Sequence, residues 1–407
     1  MPLEESLQRL EGKLIPISGK ELVALDEAVG RVLATDLVAP MSVPPHDNSA
    51  VDGWSIYFDD LNPDKETALP IGGRAPAGRP LERPQSRGEA IRIFTGAPMP
   101  KGKTGTNPDT VMMQEDCRVE GDTVIIPPGI KRGANSRFKG EDVAEGSTIL
   151  TAGTRLNAPE IGLVASLGLQ SVEVRQKLKV AIFSTGDEIL EPGTPLPAGA
   201  VYDSNRYTVK ALLRKLGAEV TDLGILQDDS DTISEALLKA TETHDVIMTS
   251  GGVSTGEEDH VRSAVEKYGR LDAWRIAIKP GRPAALGVLN KRAFIGLPGN
   301  PVAVVVTFLF LARPILLSLM GATADELQRF PVKAGFDYKK KTGRREYVRV
   351  ALSTDAGTLI AHKAGREGAG ILSSLVAADG LLEIRDDITS LSKGDLVDYL
   401  PLKEVMG

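Results

Sequence analysis

The chain has 407 residues and a mass of 43.3 kDa, too long for one ordinary core, because single cores stop growing near ~250 residues and domains cluster around ~100 to 150. Hydrophobic residues make up 42% and charged residues 25%, a globular balance that excludes disorder and fibrous repeats. The net charge of −7 and pI near 5.4 argue against nucleic acid as a bulk partner, and the single Cys117 excludes a disulfide framework or thiolate zinc cluster and fits a reducing cytoplasm.

The opening MPLEESLQRLEGKL is acidic and amphipathic, without the basic start and apolar centre of a signal peptide, so no export is expected and residues 4 to 14 read as helix. Residues 46 to 142 are rich in Pro and Gly and carry the alternating runs AIRIF, TVMMQE and DTVIIPP, the pattern of a β domain. Its ends look like insertion points, and a helical piece at 159 to 168 follows it, so that 1–45 and 143–177 together read as a helical connecting domain around an inserted β domain.

Segment 178–326 alternates short β-rich runs with helical patterns, the signature of a parallel sheet covered on both faces, a three-layer α/β domain. KVAIFS is the first strand; Ser204 stands as N-cap to a helix with Val209, Leu212, Leu213 and Leu216 at helical spacing and Gly217 as its stop. EVTDLGIL, a helix at 230 to 242 and DVIMTS follow, then the loop GGVSTG and a helix near Asp259. Residues 284–289 and 293–297 read as two strands joined by Asn290-Lys291-Arg292. The apolar run Val302 to Ala312, broken by Thr307 and followed by Arg313 and Pro314, falls short of the ~20 residues a membrane span needs and reads as a buried helix. The tail 327–407, with RREYVRVAL and LLEIRDD, reads as a small C-terminal β domain.

The loop containing Ser250, Gly251, Gly252 and Ser254 leaves an apolar strand and opens a helix, so its amides can converge on a phosphate. A tight turn without ligand explains these glycines equally well in isolation. Ligands of open α/β sheets bind at the carboxyl ends of the strands, and there the sequence places Asp187 and Glu188, Asp228 and Asp229, and Asp259. Each alone reads as solvated surface, but clustered like charges call for a cation, and Mg²⁺ on Glu188, Asp228 and Asp259 is the natural ligand. Lys279 and Arg282 in IKPGRP stand at another strand end, able to meet phosphate or an oxyanion. Pro298 opens PGNP, which reads as a rigid turn as readily as a ligand contact. His46, His244, His260 and His362 show no metal-ligand spacing.

Eight strings resemble the molybdopterin molybdenumtransferase family, whose relatives include the E domain of gephyrin. They are PPHDNSAVDGW (44–54), FTGAPMPKG (94–102), FKGEDVAEG (138–146), STGDEI (184–189), YDSN (202–205), SGGVSTGEED (250–259), IKPGRP (278–283) and GLPGNP (296–301), in family order along nearly the whole chain. The resemblance implies a four-domain homodimer in which the partner's β domain closes the cleft. It implies insertion of molybdate, or tungstate, into adenylylated molybdopterin with release of AMP, aided by Mg²⁺. By motif position, Asp52, Thr95, Arg137 and Lys139 are the implied β-domain contributions, and Glu188, Asp228, Asp259 and Lys279 the α/β set. Two rivals share these motifs in part: a molybdopterin adenylyltransferase acting one step earlier, itself a possible partner, and a gephyrin-like scaffold.

The chain departs from the family pattern at His46, at Arg275 and Arg282, where Lys is common, and at Ala369, where a Gly-Ser-Gly string is usual. Arg keeps the charge but changes a point into a planar fork. The missing hydroxyl at Ala369 leaves Ser373 or Ser374 as the substitute contact.

Overall fold

The structure is a computed structural model that describes residues 3–8, 16–103, 105–252, 260–323 and 326–406. It divides into two compact units, one of Met1–Ala34, Gly153–Asn157 and Val172–Gly407, the other of Thr35–Ala152 and Ala158–Ser171.

In the first unit, period-two alternation along apolar strands builds a three-layer core. The six strands run in the order Glu219–Leu226, Lys179–Thr185, Val246–Ser250, Arg292–Leu297, Pro283–Leu289, Gly269–Arg275. Val180, Ile182, Val246 and Met248 face the helices Ser204–Leu216 and Pro301–Leu319. Ala181, Phe183 and Ile247 face the helices Ser230–Thr243 and His260–Tyr268. The sheet is not wholly parallel: the first four strands are parallel, whereas Pro283–Leu289 runs antiparallel to both of its neighbours. The cause is the tight turn at Asn290 and Lys291, both at positive φ, which returns the chain directly instead of through a crossover helix.

The Ser204–Leu216 helix is capped by Asp203, whose carboxylate accepts from the Arg206 N–H, and Ser204 is the first helical residue rather than the cap. Gly217 closes it at φ 99°. Pro301–Leu319 is long and apolar enough by composition to cross a membrane, at mean hydropathy 2.3, but 89% of that stretch is buried within the protein. It contains a π turn at Phe308–Ala312, where Phe310 stacks on Tyr347 at 3.9 Å.

The tail folds as a closed ring in the same unit: Arg345–Asp355, Thr358–Lys363, Phe330–Ala334, Leu396–Pro401 and Gly380–Ile384 pair in that order, and the last pairs back on the first. Val350, Ala361, Leu382 and Val397 fill it. The short strand Ile278–Lys279 attaches to Arg345 and Glu346.

In the second unit six strands order as Thr110–Met113, Gly53–Ile56, Ala90–Ile93, Thr67–Ala75, Thr123–Ile126, Arg118–Glu120. The two helical pieces of the expected connecting region have different surroundings. Leu3 and Leu7 join the α/β core, whereas Leu163, on helix Ala158–Ser166, packs with Ala39 and Val143. Much of that region is extended, with Lys20–Ala24 paired to Ser171–Arg175.

Candidate functional site

Three strands end side by side at the rim of the α/β sheet, because Ser184 lies opposite Ser250 and Ser250 opposite Leu297. Gly251 and Gly252 then turn at φ 91° and 63°. The turn admits no side chain at Gly252, where a Cβ would come within 2.6 Å of Val261 Cγ2 and 2.7 Å of Thr185 Cγ2. Gly252→Ala is therefore expected to cost about 2 kcal/mol, combining left-handed strain with overpacking, and to weaken binding of a ligand held at this rim. Urea unfolding and ligand titration of the variant check this; an unchanged midpoint would show that the turn opens freely. The Ser250 hydroxyl donates to the Pro298 carbonyl at 3.3 Å, and Gly251 N–H to Leu297 at 3.2 Å. Asn205 of YDSN holds the PGNP turn by donating Nδ2 to the Gly299 carbonyl at 2.7 Å. The Ser184 hydroxyl and the Asn205 carbonyl oxygen are buried at this rim without a hydrogen-bond partner among the described residues, as groups that bind a polar ligand are.

Glu188 and Asp228 leave the ends of neighbouring strands, since Thr185 lies opposite Leu226. Asp228 accepts from the Thr185 hydroxyl at 3.0 Å, and Glu188 and Asp187 are exposed. Asp229 has a structural task instead: it caps helix Ser230–Thr243, accepting from the N–H groups of Asp231 and Thr232. Hydrogen bonds from Thr232 first, then from Asp231, hold its carboxyl below the ordinary value. Asp259 and Ser254 lie outside the described residues. Among the described residues no group of three His, Cys, Asp or Glu side chains is placed to hold a metal. Glu188 and Asp228 nonetheless present the hard carboxylate oxygens that suit Mg²⁺.

Lys279 is fixed by the closed ring of the tail. Its ammonium donates to Glu346 at 3.0 Å and approaches the Tyr338 hydroxyl at 3.5 Å, while Tyr338 donates to the same Glu346 oxygen at 2.7 Å. Glu346 is 3% exposed and Lys279 50%, so the pair is anchored at the carboxylate and open at the ammonium. Burial first, then the bond to Glu346, pushes the Tyr338 hydroxyl far above its usual value, keeping it a donor. Lys363 lies 5.1 Å over the Tyr338 ring and pairs with Glu367 at 2.6 Å.

Arg349 donates to the Gly368 carbonyl at 2.9 Å and to Ser374 at 2.6 Å. Ser374 is buried and donates to the Ile371 carbonyl, so its hydroxyl serves the loop, while Ser373 is exposed. The neighbouring Ala369 carbonyl accepts from Val302 N–H at 2.9 Å, seating this loop on the start of the PGNP helix. Arg282 is exposed and lines a cavity of about 500 Å³ with Arg275, Lys341 and Arg344, no carboxylate among the lining.

In the second unit Asp52 and Thr95 are brought together. One oxygen of Asp52 accepts both the N–H and the hydroxyl of Thr95 at 2.8 Å. The backbone bond first and the hydroxyl second hold Asp52 below the ordinary carboxylate range, so it is ionised at neutral pH. Arg92 stacks on Trp54 and Phe94 beside it. Arg137 pairs its backbone with Asn48 and has an exposed side chain, and Lys139 N–H donates to Asp47 at 2.7 Å. Cys117 takes no part, its thiol pushed up to about 11, first by burial and then by Asp116.

Comparison with known proteins covers this architecture from end to end. Over 390 residues the chain is 37% identical to a molybdopterin molybdenumtransferase of Haemophilus influenzae, covering 95% of each chain. A molybdopterin molybdenumtransferase of Nostoc sp. is 35% identical, covering 94% of this chain and 89% of its own. The chain belongs to the molybdopterin molybdenumtransferase family. Its residues 1–168 match the MoeA N-terminal region (domain I and II), 181–318 a probable molybdopterin binding domain, and 331–402 the MoeA C-terminal region (domain IV). The solved molybdopterin biosynthesis moeA protein of Pyrococcus horikoshii OT3 superposes with TM-score 0.82 at 30% identity, covering 98% of this chain and 99% of its own.

Sequence patterning does not single out Tyr338, Glu346, Arg349, Lys363 and Glu367, which the fold gathers around Lys279. Glu346 lies on the strand Arg345–Asp355, and only its buried, inward placement marks it as a partner for a cation. A lone carboxylate at a buried strand position was the available signal.

Proposed function

We propose that this chain inserts molybdate, or tungstate, into adenylylated molybdopterin, releasing AMP. Family membership supports work in molybdenum insertion during cofactor biosynthesis. The reading rests on one observation: the glycine turn, the Ser184 and Asn205 oxygens, which have no partner among the described residues, and the Ala369 loop converge on one rim, and that loop belongs to the Lys279, Lys363 and Arg349 cluster. The glycine turn, with the Ser184 hydroxyl beside it, suits the phosphate end of the pterin substrate, and the Lys279 cluster suits a tetrahedral oxyanion. Glu188 and Asp228, with Asp259, would hold Mg²⁺, which would neutralise the anhydride charge. The chain's own groups position and stabilise charge: no side-chain nucleophile is required, and Lys279 meets the negative charge that develops on oxygen. By the family resemblance the active species is a homodimer to which the partner's Asp52 and Thr95 surface contributes.

The test is incubation of the purified chain with adenylylated molybdopterin, Mg²⁺ and either oxyanion, with AMP followed by chromatography. AMP release dependent on oxyanion, and lost in Asp259→Ala, is the expected result. Release indifferent to oxyanion would favour a hydrolase or the adenylyltransferase reading instead.

A further inference from the structure

The tail's ring assembles an unusual charge set around Tyr338. Lys279 and Lys363 both lie over its ring, at 6.0 and 5.1 Å from the centroid. Lys279 is neutralised from behind by Glu346, and Lys363 is met from the front by Glu367 at 2.6 Å. Glu346 is 3% exposed, whereas the Glu367 side chain is 70% exposed. The first carboxylate is therefore built into the wall, and the second reaches in from solvent.

Glu367 rides on a loop bounded by glycines. Gly365 and Gly368 flank it at φ 63° and 143°, conformations that glycine adopts freely. Arg349 holds the loop through the Gly368 carbonyl, and its own partners, that carbonyl and the Ser374 hydroxyl, are neutral. Glu367 thus lies in the field of three cations. Its carboxyl is held below the ordinary range, first by the bond from Lys363, with Lys279 and Arg349 adding to it.

We propose that Glu367 occupies the oxyanion position of the ligand-free protein and thereby sets how tightly, and with what charge preference, the cluster takes its anion. The proposal rests on the reading of this cluster as the oxyanion site. Three cations against two carboxylates leave a single positive charge while Glu367 is in place. Swinging it out leaves two, the match for a tetrahedral dianion such as molybdate. An anion must displace a carboxylate already bound, so its apparent affinity is lowered by the fraction of protein in which the place is filled. A monoanion interacts less strongly with the cluster's charge than a dianion does, so loss of the Glu367 charge changes its affinity less.

The test is calorimetric titration of the full chain with molybdate, and with perrhenate as the tetrahedral monoanion, at low and high salt. Glu367→Gln keeps the loop's shape and removes the charge. At low salt it is expected to bind molybdate about tenfold tighter than wild type, with a smaller gain for perrhenate and a gain that shrinks as salt rises. In turnover the oxyanion KM should fall by a similar factor with kcat nearly steady, a split that a merely structural residue would not produce. Wild type that binds molybdate, Lys279→Ala that binds it more weakly, and Glu367→Gln no tighter than wild type would together overturn the proposal while leaving the site in place. If neither wild type nor Glu367→Gln binds either anion, the oxyanion reading of the cluster fails and the role of Glu367 goes with it.

Discussion

Arg206→Met is expected to destabilise the first unit by roughly 3 to 5 kcal/mol, the cost of breaking a buried ionic network by removing one partner. Arg206 is 2% exposed and binds three carboxylates: Asp203 at 2.9 Å, itself 2% exposed, together with Asp222 and Glu191. Burial disfavours its charge, but the bonds to Asp203 and Asp222 more than offset that, and the guanidinium stays ionised. Met fills a similar volume, so the loss isolates charge rather than a cavity. Glu191 follows Glu188 by three residues, so the variant also loosens the segment bearing a rim carboxylate, and activity should fall with stability. The check is the urea midpoint; a shift worth less than about 1 kcal/mol would mean that the carboxylates find other partners.

The same network fixes the pH dependence. Burial works to raise Asp222, but the bonds from Lys210, the Gly224 N–H and Arg206 hold its carboxyl below the ordinary 3.8. A depressed carboxyl contributes stability that is complete above its unfolded value and is lost as pH falls through its folded one. The gap between wild type and Arg206→Met should accordingly be widest near neutrality and narrow below about pH 4.

The α/β sheet was legible because its signals are local. Val209, Leu212, Leu213 and Leu216 keep one helical face, Gly217 supplies the left-handed stop, and strands such as VIMTS are continuous apolar runs buried on both faces. The closing hairpin was visible as two strands and a turn, but its antiparallel sense came from positive φ at Asn290 and Lys291, neither a glycine. The Asp203 cap escaped because Asp and Ser are adjacent and both cap well; the choice fell to Arg206, which needs Asp203 twice, through its backbone N–H and its guanidinium.

The candidate site was legible where a motif carries it within a few residues, as with Ser250–Gly252, while Asp52 and Thr95, 43 positions apart, were each marked by a motif of their own. It was illegible where chemistry depends on pairing across the sequence. Lys279 and Glu346 stand 67 positions apart and meet through a two-residue strand that no periodicity reveals. Asp229 shows the converse: an acid at a strand end, equal in sequence to Asp228, was claimed by the backbone N–H groups of the following helix.

Lys279→Ala is expected to lower oxyanion-dependent AMP release by a factor of about 10² to 10³, the usual cost of deleting a preorganised charge that faces a developing negative one. The ammonium has three protons; one goes to Glu346 and one is directed towards the Tyr338 hydroxyl. That leaves a third for an anion, on a side chain that is 50% exposed. Glu346 would remain buried with Tyr338 as its donor, so a stability loss of about 1 to 2 kcal/mol accompanies the variant and must be separated from the chemistry. Lys279→Ala with Glu346→Gln makes that separation, since it removes the stranded charge. The double variant should regain most of the stability and none of the activity. Lys279→Arg should fold well and recover little, because a planar fork cannot direct one proton to the wall and another to the cleft from a single nitrogen. Turnover within about threefold of wild type in Lys279→Ala would place the anion elsewhere, and the cavity lined by Arg275, Arg282, Lys341 and Arg344 would then be where to look.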